Sequence, residues 1–177
     1  LFLSIILCVG FIINFLEKKK ELYILLISLI LAGLVYGQSK KMVAYLVVFI
    51  VYQYLLVRMA HRLDKKWLKI LTLLSVVPLV INKIFAITSF HLMAFIGISY
   101  MSFKTIQIML EISDGIIKEE YNIWDYLQFL LFFPTVSSGP IDRSRRFFDD
   151  IKTIMPRREY LELAGTGIYR IVLGLLY

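Results

Sequence analysis

The segment FFPTVSSGPIDRSRRFF, residues 132–148, brings hydroxyl groups, a Gly-Pro turn and a cluster of arginines together in a short stretch. The hydroxyls of Ser137 and Ser138 can contact a substrate, but serines before Gly139 and Pro140 also cap turns, and both interpretations stay open. Guanidinium groups dock anionic partners and also accumulate on one side of a membrane. Here they belong to Arg143, Arg145 and Arg146. The residue types alone therefore leave two interpretations open, contact with a substrate or partner, and a structural role in a turn beside a membrane.

Side chains that could act as a general base are scarce in this chain. His61 lies in a basic loop, where a solvated position is the simpler interpretation, and His91 lies in an apolar run, where packing is expected. The sequence contains no G-x-S-x-G, Walker, H-E-x-x-H or G-x-G-x-x-G motif, so nothing supports nucleotide hydrolysis. Cys8 is the single cysteine, which excludes a disulfide framework and a cysteine-based metal site within this sequence. Neither a catalytic residue nor a metal site is expected.

Lys104 is a charged residue inside an apolar run that also carries Ser99, Ser102 and Gln107. Polar groups at membrane depth must find partners inside a helix bundle or a wet cavity. Lys104 is therefore predicted to face an internal cavity, and snorkelling of its ammonium to the membrane surface is the alternative. Ser99, Ser102 and Lys104 become candidates for contact with a substrate.

The bulk composition indicates where these residues lie. Of the 177 residues, 59% are apolar and 15% aromatic, and the mean hydropathy is +0.77, well above the apolar share of about 45–50% in soluble domains. The net charge of +7 fits basic residues gathered in cytoplasmic loops. No basic stripe with interleaved exposed aromatics suits a nucleic-acid groove. We expect a membrane protein that binds no nucleic acid.

The apolar runs predict an all-α fold, a polytopic transmembrane bundle of about five spanning helices. The fourth run contains Pro78, Asn82 and Lys83, so it is expected to face other helices. By the positive-inside rule, the basic loops after the first and third runs lie in the cytoplasm. The five runs are residues 1–16, 22–36, 42–57, 67–87 and 90–110.

The apolar run before Pro134 is too short to cross a bilayer. Because arginines follow it directly, the charge rule favours a segment that dips into the membrane and returns. We predict a re-entrant hairpin at residues 126–140, with Pro134–Pro140 lining an internal passage. After it come an amphipathic interfacial helix at 143–155, ended by Pro156, and a last helix at 160–177. Residues 1–177 are expected to form a single membrane domain that is part of a longer protein.

Two stretches, GISYMSFKTIQIMLEISDG from Gly97 and YLQFLLFFPTVSSGPIDRSRRF from Tyr126, resemble the membrane-bound O-acyltransferase (MBOAT) family. The family pattern is a G-I-S-[FY] helix, an acidic turn and an F-F-P segment that leads to GP-I-x-R. Within the family, the sequences of these two stretches are most similar to the branch that takes part in D-alanylation of teichoic acids in Gram-positive bacteria. The resemblance covers residues 67–177, while the first three runs are generic membrane sequence.

This resemblance implies transfer of a D-alanyl group across the bacterial plasma membrane. The group arrives as a thioester on the phosphopantetheine arm of a small D-alanyl carrier protein, moves through a tunnel in the protein and reaches a hydroxyl acceptor. No tightly bound cofactor is expected. Arg143, Arg145 and Arg146 then become candidates for docking the acidic carrier. The implied tunnel lining is Ser99, Ser102, Lys104, Pro134, Ser137, Ser138, Gly139 and Pro140.

The family's catalytic histidine belongs to a helix that lies beyond residue 177. The resemblance therefore implies no catalytic residue in this chain, which we expect to be inactive alone. Three alternatives remain open from the sequence: a transporter or channel-like component without chemistry, an alginate-type O-acetyltransferase of the same family, and a structural membrane subunit.

Overall fold

The computed structural model describes residues 10–15, 20–87, 97–117, 120–135 and 143–176, and all regular secondary structure in these ranges is helical. The prediction of an all-α fold is thereby confirmed. The helices are residues 10–15 (α1), Glu21–Tyr36 (α2), Lys40–Arg62 (α3), Lys65–Ile87 (α4), Ile98–Ser113 (α5), Ile123–Leu130 (α6), Ser144–Lys152 (α7) and Arg157–Leu176 (α8), with a single 3-10 turn at Phe133–Thr135 between α6 and α7.

Two helices in the described residues are long and apolar enough to cross a membrane, Lys40–Arg62 and Lys65–Ile84. At 1.5 Å per residue, the 23 residues of α3 measure about 35 Å, which exceeds the hydrocarbon core of about 30 Å. Helix α2 is apolar but has only 16 residues. The first part of the fifth predicted run, residues 90–96, lies outside the described residues.

The described residues form two compact units, one of residues 25–147 and one of residues 1–24 with 148–177. In the larger unit, α5 contributes a buried stripe against its neighbours. The stripe follows the 3.6-residue helical period: Ile98, Met101, Ser102, Thr105, Ile108 and Met109.

Both ends of α5 are set by glycine. Gly97, directly before the helix, has φ +92°, and Gly115, after its end, has φ +71°, values that favour glycine because it lacks a Cβ. At the C-terminal end, the N–H of Ile116 donates to the carbonyl of Glu111 (2.9 Å), and the N–H of Gly115 donates to that of Ile112 (3.0 Å). These two bonds define a Schellman motif. They form a turn at Asp114-Gly115, a pair of residues that commonly marks turns.

Pro78 lies inside α4 and lacks the N–H that would pair with the carbonyl of Leu74. The hydroxyl of Tyr52 on α3 donates to that carbonyl at 2.9 Å. One residue along, the Gln53 amide donates to the carbonyl of Ser75 (2.9 Å), and the Ser75 hydroxyl donates back to Gln53 Oε1 (2.7 Å). Backbone groups freed by a proline at membrane depth must be paired within the protein. Helix α3 supplies those partners.

In the smaller unit, Arg157 anchors the start of α8. Its Nε donates to the carbonyl of Phe15 at 3.2 Å, and its guanidinium lies 4.3 Å from the centre of the Phe15 ring. Phe11 packs against Phe15 and Tyr160, with ring centroids 6.2 and 5.5 Å apart.

Helix α7 runs from Ser144 to Lys152 and ends four residues before Pro156, whereas the sequence predicts a helix to residue 155. Pro156 instead precedes the first residue of α8, and its carbonyl accepts the N–H of Tyr160 at 3.0 Å. A proline is tolerated here because the first N–H groups of a helix have no intrahelical acceptor. On α7, the side chains of Phe147, Phe148 and Ile151 are buried, and the interfacial position of this helix stays a prediction.

Candidate functional site

Lys104 is the most buried charged side chain in the described residues, with 1% of its surface exposed. Its Nζ donates to the carbonyl of Phe129 at 2.9 Å and to that of Leu130 at 3.4 Å. Phe129 and Leu130 are the last two residues of α6, whose final carbonyls have no partner within their own helix. Lys104 therefore caps the C-terminal end of α6 from the neighbouring helix.

The charge of Lys104 is compensated without an acid. The C-terminal end of a helix carries a partial negative charge that favours a cation, and the ring of Phe129 presents its face 5.3 Å from Nζ. Among the described residues, no carboxylate forms an ion pair with this ammonium. The structure places the Lys104 ammonium inside the helical packing, at the end of α6.

Tyr126 forms a second contact between α5 and α6. Its side chain is fully buried, and its hydroxyl lies 2.9 Å from Thr105 Oγ1. Because the single hydroxyl proton of Thr105 goes to the carbonyl of Met101 at 3.0 Å, Tyr126 must be the donor to Thr105. The Tyr126 ring also packs against Tyr54 of α3, with centroids 5.4 Å apart.

At the other end of α5, Glu111 contacts the beginning of α7. The hydroxyl of Ser144, the first residue of α7, donates to a carboxylate oxygen of Glu111, and the hydroxyl of Tyr121 lies 3.1 Å from Ser144 Oγ. Glu111 and Ser144 are both buried. A carboxylate at the C-terminal end of its own helix is unfavourable, but at the N-terminus of another helix it is favoured. The position of Glu111 is thus explained by α7.

Three phenylalanines connect α6 to α7. The ring of Phe147 packs edge-on against Phe129 and Phe132, with centroids 5.2 and 5.0 Å apart. Edge-to-face geometry adds to the stabilisation from burial alone. The end of α6 and the start of α7 therefore lie side by side.

The predicted tunnel residues on α5 differ in their surroundings. Ser102 is fully buried, and its hydroxyl has no hydrogen-bond partner among the described residues, while Ser99 is half-buried. Gln107 likewise has a buried Oε1 without a partner in the same ranges. A buried polar atom left in this way costs about 1–3 kcal/mol. In the described part of α5, the Ser102 hydroxyl and the Gln107 Oε1 are therefore the buried polar atoms that lack a hydrogen-bond partner and could bind a further polar group.

The remaining predicted residues belong to the segment between α6 and α7. Pro134 lies exposed in the 3-10 turn, while Ser137, Ser138, Gly139 and Pro140 lie outside the described residues. Of residues 126–140, for which a re-entrant hairpin is predicted, the structure describes 126–135, which contain the second part of α6 and this turn. The hairpin itself stays a prediction. Arg143, Arg145 and Arg146 are exposed at the beginning of α7.

An ion cluster joins the loop after α5 to the end of α3. Glu120 accepts from Nε of Arg58 at 3.3 Å and from Nε of Arg62 at 3.5 Å. The hydrogen bond from Arg58, with the charge and hydrogen bond of Arg62, lowers the pKa of Glu120 below its ordinary value of 4.5. Nearby, the hydroxyl of Tyr54 donates to the carbonyl of Tyr121 at 3.3 Å. The end of α3 and the residues before α6 are therefore linked at two points.

No group of three or more His, Cys, Asp or Glu side chains in the described part of the chain is placed to hold a metal ion. His61 lies half-buried at the end of α3, and its Nε2 has no hydrogen-bond partner among the described residues. The prediction of a solvated loop residue is therefore wrong for His61, because α3 continues to Arg62 and takes up this position.

The described geometry is that of a helical protein with two membrane-length helices and polar groups paired between helices. Comparison with known protein families gave no match. The chain is similar to two proteins named teichoic acid D-alanyltransferase. One, from Bacillus subtilis, is 35% identical over 188 residues, covering 99% of this chain and 48% of that protein. The other, from Streptococcus thermophilus, is 35% identical over 185 residues, covering 100% of this chain and 44% of that protein.

A third similar protein of the same name, from Lacticaseibacillus rhamnosus, is 46% identical over 86 residues, or 49% of this chain. The chain spans about half the length of the two curated relatives that it matches throughout.

Sequence reasoning missed Glu111, Ser144 and Tyr121. A signal for Glu111 was present, because it follows Lys104 by seven residues and therefore shares its helix face. Ser144 gave a weaker signal: serine is favoured at the beginning of a helix, but its partner on another helix is set by tertiary packing. Tyr121 gave no signal that distinguishes it from the other tyrosines.

Proposed function

We propose that this chain is part of a membrane-bound O-acyltransferase that takes part in D-alanylation of teichoic acid. The observation that carries the proposal is 35% identity over essentially the whole chain to two proteins named teichoic acid D-alanyltransferase. A multi-pass position in a bacterial plasma membrane agrees with α3 and α4, which are long and apolar enough to cross one.

In the proposed reaction, a D-alanyl thioester on the phosphopantetheine arm of a carrier protein gives up its acyl group. The C–S bond of the thioester breaks, an ester C–O bond forms to a hydroxyl of the acceptor, and the hydroxyl proton ends on the released thiol. The acceptor is teichoic acid or a group that passes D-alanine on to it. Among the described residues, neither His61 nor the Lys104 ammonium is placed to act as the general base of this reaction.

The buried, unpaired hydroxyl of Ser102 supports a role for α5 in the substrate path, with Ser99 on the same helix. Lys104 has its donors directed at α6 and repels an alanyl ammonium, so we place it behind that path rather than in it. The exposed arginines at the beginning of α7 suit a carrier protein with an acidic surface. They are Arg143, Arg145 and Arg146.

The test uses inside-out membrane vesicles from cells that lack the native protein and express the full-length parent. D-alanyl carrier protein or acetyl carrier protein is supplied, and ester formation on lipoteichoic acid in the vesicles is measured. D-alanyl transfer that is absent from vesicles without the parent is the expected result. Transfer from the acetyl donor alone would replace the proposal with the acetyltransferase alternative, and transfer from neither donor would contradict an acyltransferase.

A further inference from the structure

Helix α5 makes two polar contacts with the helices that flank residues 131–143, and the two have opposite charge. Lys104 binds the last carbonyls of α6, and Glu111 accepts from the first residue of α7. The two side chains are seven residues apart, two helical turns, and therefore project from the same face of α5. Each has the sign that the adjacent helix terminus favours.

We propose that Lys104 and Glu111 are positioning residues that hold the end of α6 and the beginning of α7 against α5. The contact of Lys104 with α6 and the contact of Glu111 with α7 are called the two mounts below. This assigns neither side chain a contact with substrate. Their role is to fix where α6 ends and where the arginine-bearing α7 begins.

The cost of burial explains why charged residues serve here. A lysine removed from water requires strong partners, and the two carbonyls with the Phe129 ring supply them only while α6 ends at Leu130. If the end of α6 moves, the ammonium loses its partners, so displacement is disfavoured more strongly than by apolar packing. The same argument applies to Glu111 and Ser144, both of which are buried.

The experiment measures amide hydrogen exchange in the full-length protein in detergent. Two amides report the two mounts: the N–H of Leu131, which donates to the carbonyl of Leu127 at the end of α6, and the N–H of Phe147, which donates to that of Arg143 at the start of α7. Lys104→Met is expected to speed exchange at Leu131 by about tenfold, as expected for losing a charged hydrogen bond, and to leave Phe147 within about twofold. Glu111→Gln should show the reverse pattern.

Ser144→Ala should speed exchange at Phe147 at least as much as Glu111→Gln, because it removes the hydrogen bond, whereas Gln removes the charge but keeps an oxygen that can accept. The double variant should exceed Ser144→Ala by little, because both changes act on one contact. The controls are Lys69→Met and Glu162→Gln, exposed residues outside both mounts, which should change neither amide. Unchanged exchange at both reporters would overturn the inference. So would a rise spread evenly over α3, α4 and α5, since that is general destabilisation.

A functional readout rests on the proposed D-alanyl transfer. Glu111→Gln is expected to raise the KM for the charged carrier, because it releases the arginine-bearing helix, while the same variant is present at normal membrane levels. An unchanged KM would overturn the positioning role of Glu111. Failure of the unmutated parent to transfer D-alanine would contradict the proposed function instead, and the exchange pattern would still decide whether the two mounts exist.

Discussion

The hydroxyl of Tyr52 donates to the carbonyl of Leu74 at 2.9 Å, and this is the carbonyl that Pro78 leaves without its usual helical partner. A side chain of one membrane-length helix thus supplies the donor that the proline removes from the other. Because this bond joins α3 to α4, a shift in the register of the two helices would leave the Leu74 carbonyl without its donor.

Replacement of Tyr52 by phenylalanine should destabilise the protein, because the Leu74 carbonyl then has no donor. We expect a loss of about 0.5–2 kcal/mol in the free energy of unfolding, measured on the purified full-length protein in detergent. In a Pro78→Ala background, the restored N–H of residue 78 can reach Leu74, so Tyr52→Phe should cost clearly less. Equal costs in both backgrounds would show that the Tyr52 hydroxyl does not replace the N–H that is missing at Pro78.

The hydroxyl pair between Thr105 and Tyr126 gives a second prediction. Thr105→Val keeps the side-chain shape but leaves the buried Tyr126 hydroxyl without an acceptor, which should cost about 1–3 kcal/mol. The double variant Thr105→Val with Tyr126→Phe should regain part of that loss because both polar groups are then removed. Unfolding free energies of the two single variants and the double variant measure the coupling. Strict additivity would show that the two hydroxyls do not interact.

The ion cluster at Glu120 predicts a dependence on pH. The folded-state pKa of Glu120 lies below its ordinary value of 4.5 because Arg58 and Arg62 favour the carboxylate. Its stabilising contribution is therefore complete above the unfolded-state pKa and is lost as the pH falls through the lower folded-state pKa.

The comparison for this prediction is Glu120→Gln against the parent. The thermal midpoint of the variant should be slightly lower at neutral pH, and the two midpoints should converge once the pH has fallen below the folded-state pKa of Glu120. The difference should also shrink in high salt, because the pair is exposed and screened. A difference that grows on acidification would contradict this sign.

The helices could be predicted from the sequence because apolar runs and their breaks are local signals. The run at 22–36 gave α2 nearly to the residue, and Asp114-Gly115 marked the end of α5. The end of α7 and the beginning of α8 were each misplaced by three residues. Pro156 marks a helix boundary, but the residue type does not say whether a helix ends before it or begins after it.

The surroundings of the polar residues could not be predicted in the same way. That Lys104 has partners inside the protein follows from the cost of a charge in hydrocarbon. That those partners are the carbonyls of Phe129 and Leu130, some 25 residues along the chain, depends on how α5 packs against α6. The pairing of Glu111 with Ser144 depends on packing in the same way, and one sequence alone contains no record of it.

The measurement that tests the central claim most directly is D-alanine incorporation into teichoic acid in cells that lack the native protein. The full-length parent is compared with a variant carrying Arg145→Glu and Arg146→Glu, with Lys69→Met as the control for loss of an exposed positive charge. The account predicts that the parent and the control restore incorporation, and that the charge reversal abolishes most of it at normal membrane levels. Absence of incorporation with the unmutated parent, at a normal membrane level, would contradict the account.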